Sequence, residues 1–489
     1  MIKIRRTKNI GINAILNVLN QGLRIVFPLI TYPYAVRVLG ADGIGKVNFS
    51  NSIVSYFSLF AMLGVSTYAV REGAKRREDI ESLQKFSNEV FTINVITTVI
   101  SYICLLIALL CIPKLFDYRL LILLQSLSIG FTTLGIDWIN TIHEDFFIIT
   151  LRSILTNFLT LVLLFIFVRT PDDYYYYALL TVLSNGVICI SNWFYCRRYV
   201  RFRLTRKFKF RSHIQPLLVL FANTVAISIY VNLDITMLGW FKGDYEVGIY
   251  SVAVKVYGII KSLLAAIYVV AIPRLSSYIG VNNKEEYKTT NTKLWCYLAV
   301  ILIPSSVGLI CLSSDIMRFF GGMDFAKNGL VLQILSTALV FAIFGGLVTS
   351  CLNVTLGREK ENLLATIIAA CLNCGLNIFM IPRLAQNGAA ITTLIAEAFV
   401  FIFCIVRVPN ISEFLDKNVI IKEVINSILG SIIIVILSCF LGGVIRNYIV
   451  RIILIIVSSV LGYLLFMVLI KDNCFIEFKS ILIKKFSKK

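Results

Sequence analysis

Residues 10–38 read IGINAILNVLNQGLRIVFPLITYPYAVRV, an apolar stretch whose polar residues gather on one side of a helix. It exceeds the roughly 20 mostly apolar residues that a helix needs to cross the hydrocarbon layer of a bilayer. Similar stretches follow one another almost to the end of the 489-residue chain. The sequence therefore predicts an all-α protein that crosses a membrane many times and leaves no region for a soluble domain.

Composition supports a membrane protein, since 58% of the residues are apolar and 15% are charged. The net charge of +20 comes from Lys and Arg clusters between apolar stretches, a pattern of membrane topology rather than of nucleic-acid binding. The twelve cysteines lie mostly within apolar stretches and form no motif with histidine. We therefore expect no nucleic-acid partner, no disulfide framework and no metal site.

Hydropathy, interrupted by charged, Gly and Pro residues, predicts fourteen transmembrane helices. They run roughly over residues 10–38, 46–70, 86–112, 118–142, 147–168, 174–196, 214–240, 247–279, 291–312, 328–352, 362–381, 387–407, 423–444 and 448–470.

Orientation follows from the basic residues, which concentrate in cytoplasmic connections. The basic segments 71–85, 197–211 and 471–489 all fall on one side when the N-terminus is cytoplasmic. The sequence thus predicts a multi-pass membrane protein with both termini cytoplasmic. The outer connections, such as 40–45 and 113–117, are short. They leave little room for external catalytic groups, so we expect a protein that is not an enzyme.

A weak internal repeat relates the two halves of the chain. Gly40-Ala41-Asp42-Gly43-Ile44-Gly45 corresponds to Gly243-Asp244-Tyr245-Glu246-Val247-Gly248, about 200 residues later. Such repeats are typical of transporters whose substrate binds between two related lobes. We predict a six-helix lobe over 1–200, a pseudo-symmetric second lobe over 201–415, and two extra helices with a basic cytoplasmic tail over 416–489.

Four of the basic residues within the predicted helices are candidates for a cationic substrate-binding cavity. They are Arg24, Arg152, Lys255 and Lys261. Arg24 lies some 20 Å into its helix at about 1.5 Å per residue, where a charge facing lipid is costly. A structural ion pair, or a side chain reaching the interface, is the alternative for each of them.

Eight polar residues within the predicted helices, three of them on the helix face of Arg24, are candidates for lining the same cavity. They are Asn17, Asn20, Gln21, Asn48, Asn51, Asn223, Asn373 and Asn377. Interhelical hydrogen bonding is the alternative. A cationic, amide-lined chamber suits an anionic diphosphate that bears sugars, because Arg and Lys bind phosphates and amides bind hydroxyl groups.

Two acids within the helices, Asp234 and Glu397, are candidates for ion coupling. Burial raises the pKa of a carboxyl group and makes it protonatable, although pairing with a buried base is equally open. We predict no cofactor, and coupling to a proton gradient and coupling to a sodium gradient both stand. His143 and His213, the two histidines, are expected to be solvated.

Several of these motifs resemble the Wzx-type polysaccharide repeat-unit flippases of the multidrug/oligosaccharidyl-lipid/polysaccharide (MOP) exporter superfamily. The matching stretches, over nearly the whole chain, are 17–37, 39–45, Gly135-Ile136-Asp137-Trp138, Glu144-Asp145-Phe146, 233–250 and Ala271-Ile272-Pro273-Arg274. The chain departs from the family where Ile139-Asn140-Thr141 stands in place of Tyr-Gln-Gly.

The resemblance implies a flippase of a bacterial cytoplasmic (inner) membrane. It would move undecaprenyl-diphosphate-linked oligosaccharide repeat units to the outer face by alternating access, for surface polysaccharide assembly. It implies a basic central cavity onto which Arg24, Arg152 and Lys255 map. Partners would be that lipid-linked oligosaccharide, membrane lipids, and the polysaccharide polymerase and chain-length machinery. Two alternatives stand: a cation-coupled drug or metabolite exporter of the same superfamily, and a membrane glycan polymerase or ligase, which the short outer connections disfavour.

Overall fold

The structure is a computed structural model that describes residues 10–143, 146–206 and 210–472. These described residues are 88% helical and contain no strand, which confirms the predicted all-α polytopic fold. The helices are α1 (Ile10–Met62), α2 (Val65–Ala74), α3 (Ile80–Cys111), α4 (Arg119–Gly135), α5 (Asp137–Ile142), α6 (Phe146–Phe167), α7 (Tyr174–Cys196), α8 (Phe210–Phe241), α9 (Asp244–Val269), α10 (Ile272–Gly280), α11 (Lys284–Cys311), α12 (Ser313–Gly321), α13 (Met323–Ala326), α14 (Gly329–Leu347), α15 (Glu359–Val406), α16 (Lys417–Val444) and α17 (Tyr448–Leu469).

Eleven helical stretches of the described residues are long and apolar enough to cross a membrane. Two of them, Phe27–Ala74 and Glu359–Val406, contain a break in helical geometry. The predicted number of fourteen transmembrane helices therefore stays a prediction, whereas the repeated crossing of the membrane is confirmed.

Helix α16 has one apolar, exposed face and one buried face with small polar residues. Its exposed side chains include Ile425, Ile428 and Ile432, whereas Ser427 and Ser431 are buried. Apolar residues outside and small polar residues inside are the expected arrangement in lipid, because helices approach closely at small residues and hydrogen-bond there.

Breaks in α1 and α15 each divide a long helix into two. In α1 the break is at Gly40, whose φ of 69° suits a residue without a Cβ atom. The sequence predicted a connection over 40–45, but helical geometry resumes directly after Gly40. In α15 the break is at Ala385, with φ 47°. Because Ala at positive φ is uncommon, surrounding packing must hold this turn.

The chain forms two compact units, Met1–Gly248 and Ile249–Lys489. In the first unit, α1 packs against α3, α4, α6 and α8, while α7 packs against α4 and α6. In the second unit, α11 packs against α14 and α16, α14 packs against α15, and α17 packs against α16. The predicted lobe boundaries at 200 and 415 stay predictions.

The segment that follows α7 is bound along α3 by evenly spaced hydrogen bonds. Gln84 exchanges two bonds with the backbone of Arg201, at 2.6 and 2.9 Å. The amide of Arg203 donates to Asn88 Oδ1 at 2.9 Å, and that of Thr205 donates to Thr92 Oγ1 at 3.0 Å. Four helical residues rise about 6 Å and two extended residues about 6.6 Å, so the two spacings match. We call residues 201–205 the strap.

Candidate functional site

For five of the predicted site residues, the structure describes the helix backbone but not the side chain. They are Asn17, Asn20, Gln21, Arg24 and Asn223. Their predicted roles stay predictions, and the remaining candidates are located within the two units.

In the first unit, Arg152 of α6 belongs to a polar network that joins three helices. Its Nη1 atom donates a hydrogen bond to Asn192 Oδ1 on α7 at 2.7 Å, and its Nη2 atom lies 4.0 Å from Asp137 Oδ1 on α5. Asn192 also donates to Asp137 Oδ1 at 2.9 Å. Because the Asp137 carboxylate is 59% exposed, water screens this ion pair and the Asn192 bond is the firmer contact.

Asn140 lies in the segment 139–141, where the sequence departs from the motif of the family it resembles, and it belongs to the same polar network. Its Nδ2 atom donates to Asn192 Oδ1 at 2.6 Å, and both asparagines are fully buried. One amide oxygen therefore accepts from both Asn140 and Arg152. A buried amide without such partners would cost free energy, so Asn140 and Asn192 stabilise each other.

In the second unit, the structure brings two predicted site residues together. Lys261 Nζ of α9 lies 2.6 Å from Glu397 Oε1 of α15. The hydroxyl of Tyr257 donates to the same Glu397 oxygen at 3.0 Å and accepts from Lys261 at 3.2 Å. The glutamate is buried, whereas the Lys261 side chain is 35% exposed. One of the two cations predicted on α9 is thus paired with one of the two predicted coupling acids.

The candidates on α1, α8 and α9 that remain differ in their burial and contacts. Lys255, also on α9, is exposed, and Asp234 is buried on α8. In the first unit Asn51 is exposed, and Asn48 Nδ2 lies 3.5 Å from the hydroxyl oxygen of Tyr32. The side chains of Lys255 and Asn51 are therefore exposed on the surfaces of their own units. The cavity role predicted for them stays a prediction.

Asn373 and Asn377 form a closed triangle with Thr392 across the break in α15. Asn377 donates to Asn373 Oδ1 at 3.0 Å, and Thr392 donates to Asn377 Oδ1 at 2.6 Å. Asn373 Nδ2 completes the triangle, 3.5 Å from Thr392 Oγ1. All three residues are almost inaccessible. In this conformation the triangle joins the two halves of α15, which is the hydrogen-bonding alternative considered for these asparagines.

The expectation that His213 is solvated is wrong, because the structure buries it. Its Nδ1 atom lies 2.8 Å from the Tyr68 hydroxyl, and its Nε2 atom lies 2.9 Å from Glu89 Oε2. The three residues come from α2, α3 and α8, so no local spacing in the sequence points to this cluster. No local spacing points to Tyr257 either, because its hydrogen bond to Glu397 joins α9 to α15.

The two repeat segments cross each other by reciprocal contacts at two glycines. A Cβ atom added at Gly45 would overlap the carbonyl group of Asp244, and one added at Gly248 would overlap the carbonyl group of Ala41. Gly45 corresponds to Gly248 in the repeat, and Ala41 corresponds to Asp244. The crossing is therefore pseudo-twofold, and glycine permits the backbones to touch.

The sequence profile of a family described as "Polysaccharide biosynthesis protein" matches residues 7–279. The chain belongs to this family. This membership confirms the resemblance to the Wzx-type members of the MOP superfamily. A relative from Escherichia coli (strain K12) named "Putative O-antigen transporter" is 26% identical over 409 residues, which is 81% of this chain and 96% of that protein.

Solved structures share the fold of this family member. "Lipid II flippase MurJ, inward closed conformation" superimposes with a TM-score of 0.76 at 18% identity, covering 94% of this chain and 99% of that chain. An inward-facing multidrug resistance MATE family transporter of the MOP superfamily gives a TM-score of 0.59 at 16% identity, covering 81% and 99%. A MatE family profile also matches residues 220–383.

Proposed function

We propose that the protein is a lipid-linked glycan flippase of the inner membrane. Its cargo is the undecaprenyl-diphosphate-linked oligosaccharide repeat unit, which it moves from the cytoplasmic to the outer face by alternating access for surface polysaccharide assembly. Family membership and the transporter names of its relatives support this assignment. Membrane lipids surround it, and the polymerase and chain-length machinery would receive its product.

The Lys261–Glu397 pair is the observation that carries this proposal. A charge within a spanning helix is costly and is retained where it binds or moves charge. Lys261 is held by one carboxylate and remains one-third exposed, so an arriving diphosphate has access to it. An arriving phosphate would compete with Glu397 for Lys261, and a proton or sodium gradient would drive this exchange. Arg24, Arg152 and Lys255 are the further proposed phosphate-binding residues.

Alternating access requires contacts that close one side and then separate. The crossing of the repeat segments at Gly45 and Gly248 supports such a closure, because its surfaces touch without side chains between them. During transport the polyprenyl tail would stay in lipid, while the diphosphate avoids the cost of crossing hydrocarbon as a bare charge.

Deleting the gene and identifying the lipid-linked glycan that accumulates tests the proposed cargo. We expect undecaprenyl-diphosphate oligosaccharide to build up on the cytoplasmic face and surface polysaccharide to be lost. Normal surface polysaccharide with no accumulation would contradict the proposal.

Arg24→Ala tests the predicted role of the cation in the first predicted helix. The variant should reach the membrane in normal amount yet fail to restore polysaccharide export in the deletion strain. Full restoration of export would remove Arg24 from the mechanism.

A cation-coupled exporter of drugs or metabolites is the second candidate, favoured by the MatE match over 220–383. In that case Asp234 and Glu397 would be its ion site. Proton-driven efflux of a cationic dye from vesicles, without movement of a lipid-linked glycan, would support the exporter and contradict the flippase.

A further inference from the structure

A cavity of about 300 Å³ lies in the first unit, at the end of the helices that the charge pattern assigns to the outer face. Its walls come from α1, from the turn Pro113–Tyr118, and from the first residues of α7 and α9. The lining side chains are Lys46, Asp117, Tyr118, Tyr174, Tyr175 and Asp244, over an apolar floor at Leu121. The volume is at the lower end of the roughly 300–1,000 Å³ typical of small-molecule sites.

Aromatic rings form one wall of this cavity. Tyr174 and Tyr175 lie with ring centroids 4.4 Å apart and planes inclined by 35°. Lys46 Nζ lies 4.9 Å from the centroid of the Tyr174 ring. The next residue, Tyr176, is outside the lining and is 53% exposed, as expected for an interfacial aromatic residue. Tyr174 and Tyr175 therefore line the cavity, whereas Tyr176 faces outward.

Hydrogen-bond donors and acceptors line the rest of the cavity. The hydroxyl of Tyr118 donates to Asp244 Oδ1 at 2.7 Å, which fixes that carboxylate. Asp117 is exposed and adds a second carboxylate, while Lys46 supplies an ammonium donor. Two carboxylates disfavour an anion, and the ammonium disfavours a metal ion or an organic cation. This combination suits a neutral sugar ring. The carboxylates can accept hydrogen bonds from sugar hydroxyl groups, the ammonium group can donate one, and the tyrosine rings offer apolar faces.

The cavity adjoins the crossing of the repeat segments. Lys46 directly follows Gly45, and Asp244 is the residue whose carbonyl group packs on Gly45. A molecule that contacts both Lys46 and Asp244 therefore contacts both repeat segments while they are together.

We propose that this cavity binds one neutral monosaccharide unit of a glycan, stacked on Tyr174 and Tyr175 and hydrogen-bonded to Asp117, Asp244 and Lys46. The identity of the glycan as the exported repeat unit rests on the proposed function; the sugar-binding chemistry does not. Occupancy would favour the state in which the repeat segments touch, so the site would sense cargo at the outer end.

The test uses the full-length protein in nanodiscs and saturation-transfer NMR with a panel of methyl glycosides: hexoses, 6-deoxyhexoses and N-acetylhexosamines. At least one glycoside should give a saturable signal. Asp117→Asn and Tyr175→Ala should each raise its apparent Kd about tenfold or more, through a lost charged acceptor and a lost stacking face. Tyr176→Ala, the matched control, should leave the Kd unchanged.

Absence of any saturable signal, or an equal loss in Tyr176→Ala, would overturn the sugar site. Translocation of a lipid-linked oligosaccharide by the same preparation in vesicles separates the two proposals. Translocation without glycoside binding overturns the cavity proposal alone, whereas glycoside binding without translocation overturns the proposed function alone.

Discussion

Lys261 of α9 and Glu397 of α15 are 136 positions apart in the sequence, yet their Nζ and Oε1 atoms lie 2.6 Å apart. The sequence placed both residues within spanning helices and assigned them separate roles, phosphate binding and ion coupling. Their pairing makes these roles interdependent, because each charge is the other's counter-ion. Under the proposed function, a cargo phosphate that binds Lys261 would compete with the Glu397 carboxylate.

The first prediction separates a structural ion pair from a transport role. Lys261→Met should lower stability by about 2 kcal/mol, less than the roughly 3–5 kcal/mol for breaking a fully buried pair, because Lys261 is one-third exposed. The double variant Lys261→Met/Glu397→Gln should recover most of that stability, since no charge is left unpaired. Thermal unfolding of the purified proteins measures this recovery.

Translocation should not recover with stability in this series. We expect Lys261→Met and the double variant both to translocate at less than a tenth of the normal rate, and Lys261→Arg to retain more. A double variant that is stable and fully active would limit Lys261 to a structural role.

The second prediction concerns the crossing of the repeat segments. Gly45→Ala and Gly248→Ala should each destabilise the protein by about 1–3 kcal/mol, because the added methyl group overlaps a backbone carbonyl group. Gly258→Ala is the matched control on α9, since nothing lies within 4 Å of its added Cβ atom. It should be neutral or slightly stabilising. Equal unfolding midpoints for all three variants would contradict the close crossing.

The third prediction tests the network around Arg152. Asn192→Ala removes the acceptor shared by Arg152 and Asn140, so it should cost about 2 kcal/mol or more. Asn185→Ala is the control on the same helix, because Asn185 is exposed and bonds within its own helix, to the carbonyl oxygen of Thr181. Denaturation curves of the two variants should differ clearly, and matching curves would mean that the network contributes nothing.

The fourth prediction concerns the strap along α3. Replacing both Gln84 and Asn88 with Ala removes three of its backbone contacts, which should shift its opening equilibrium by at least about tenfold. Limited trypsin digestion with mass spectrometry should show faster cleavage after Arg201 and Arg203. Glu81→Ala, an exposed change on the same helix, should leave these cleavage rates unaltered, and unchanged rates in the double variant would argue against a bound strap.

Hydropathy, with charged, Gly and Pro residues marking the breaks, predicted most helix positions, because a bilayer requires long apolar segments and hydrogen-bonded backbones. The span predicted over 174–196 coincides with α7. Near 40–45 the prediction of a connection failed, since Gly40 alone departs from helical geometry and the next residues continue as a helix. Glycine-rich sequence indicates a break but does not fix its length.

The sequence could not predict which site residues pair with each other, because these pairs depend on how helices distant in the sequence pack. The spacing of Asn373 and Asn377 indicated a shared face, but Thr392 as their third partner follows only from the break at Ala385. His213 lies next to basic connections in the sequence. Its ring is buried against Tyr68 and Glu89, which come from two other helices.

Transfer of a fluorescent undecaprenyl-diphosphate oligosaccharide across vesicles that contain only this protein tests the central claim most directly. A glycosidase added outside reports how much glycan has reached the outer leaflet. We predict transfer well above that of protein-free vesicles, with Lys261→Met close to the protein-free rate. Transfer equal to that of protein-free vesicles for the folded wild-type protein, under both proton and sodium gradients, would contradict the account.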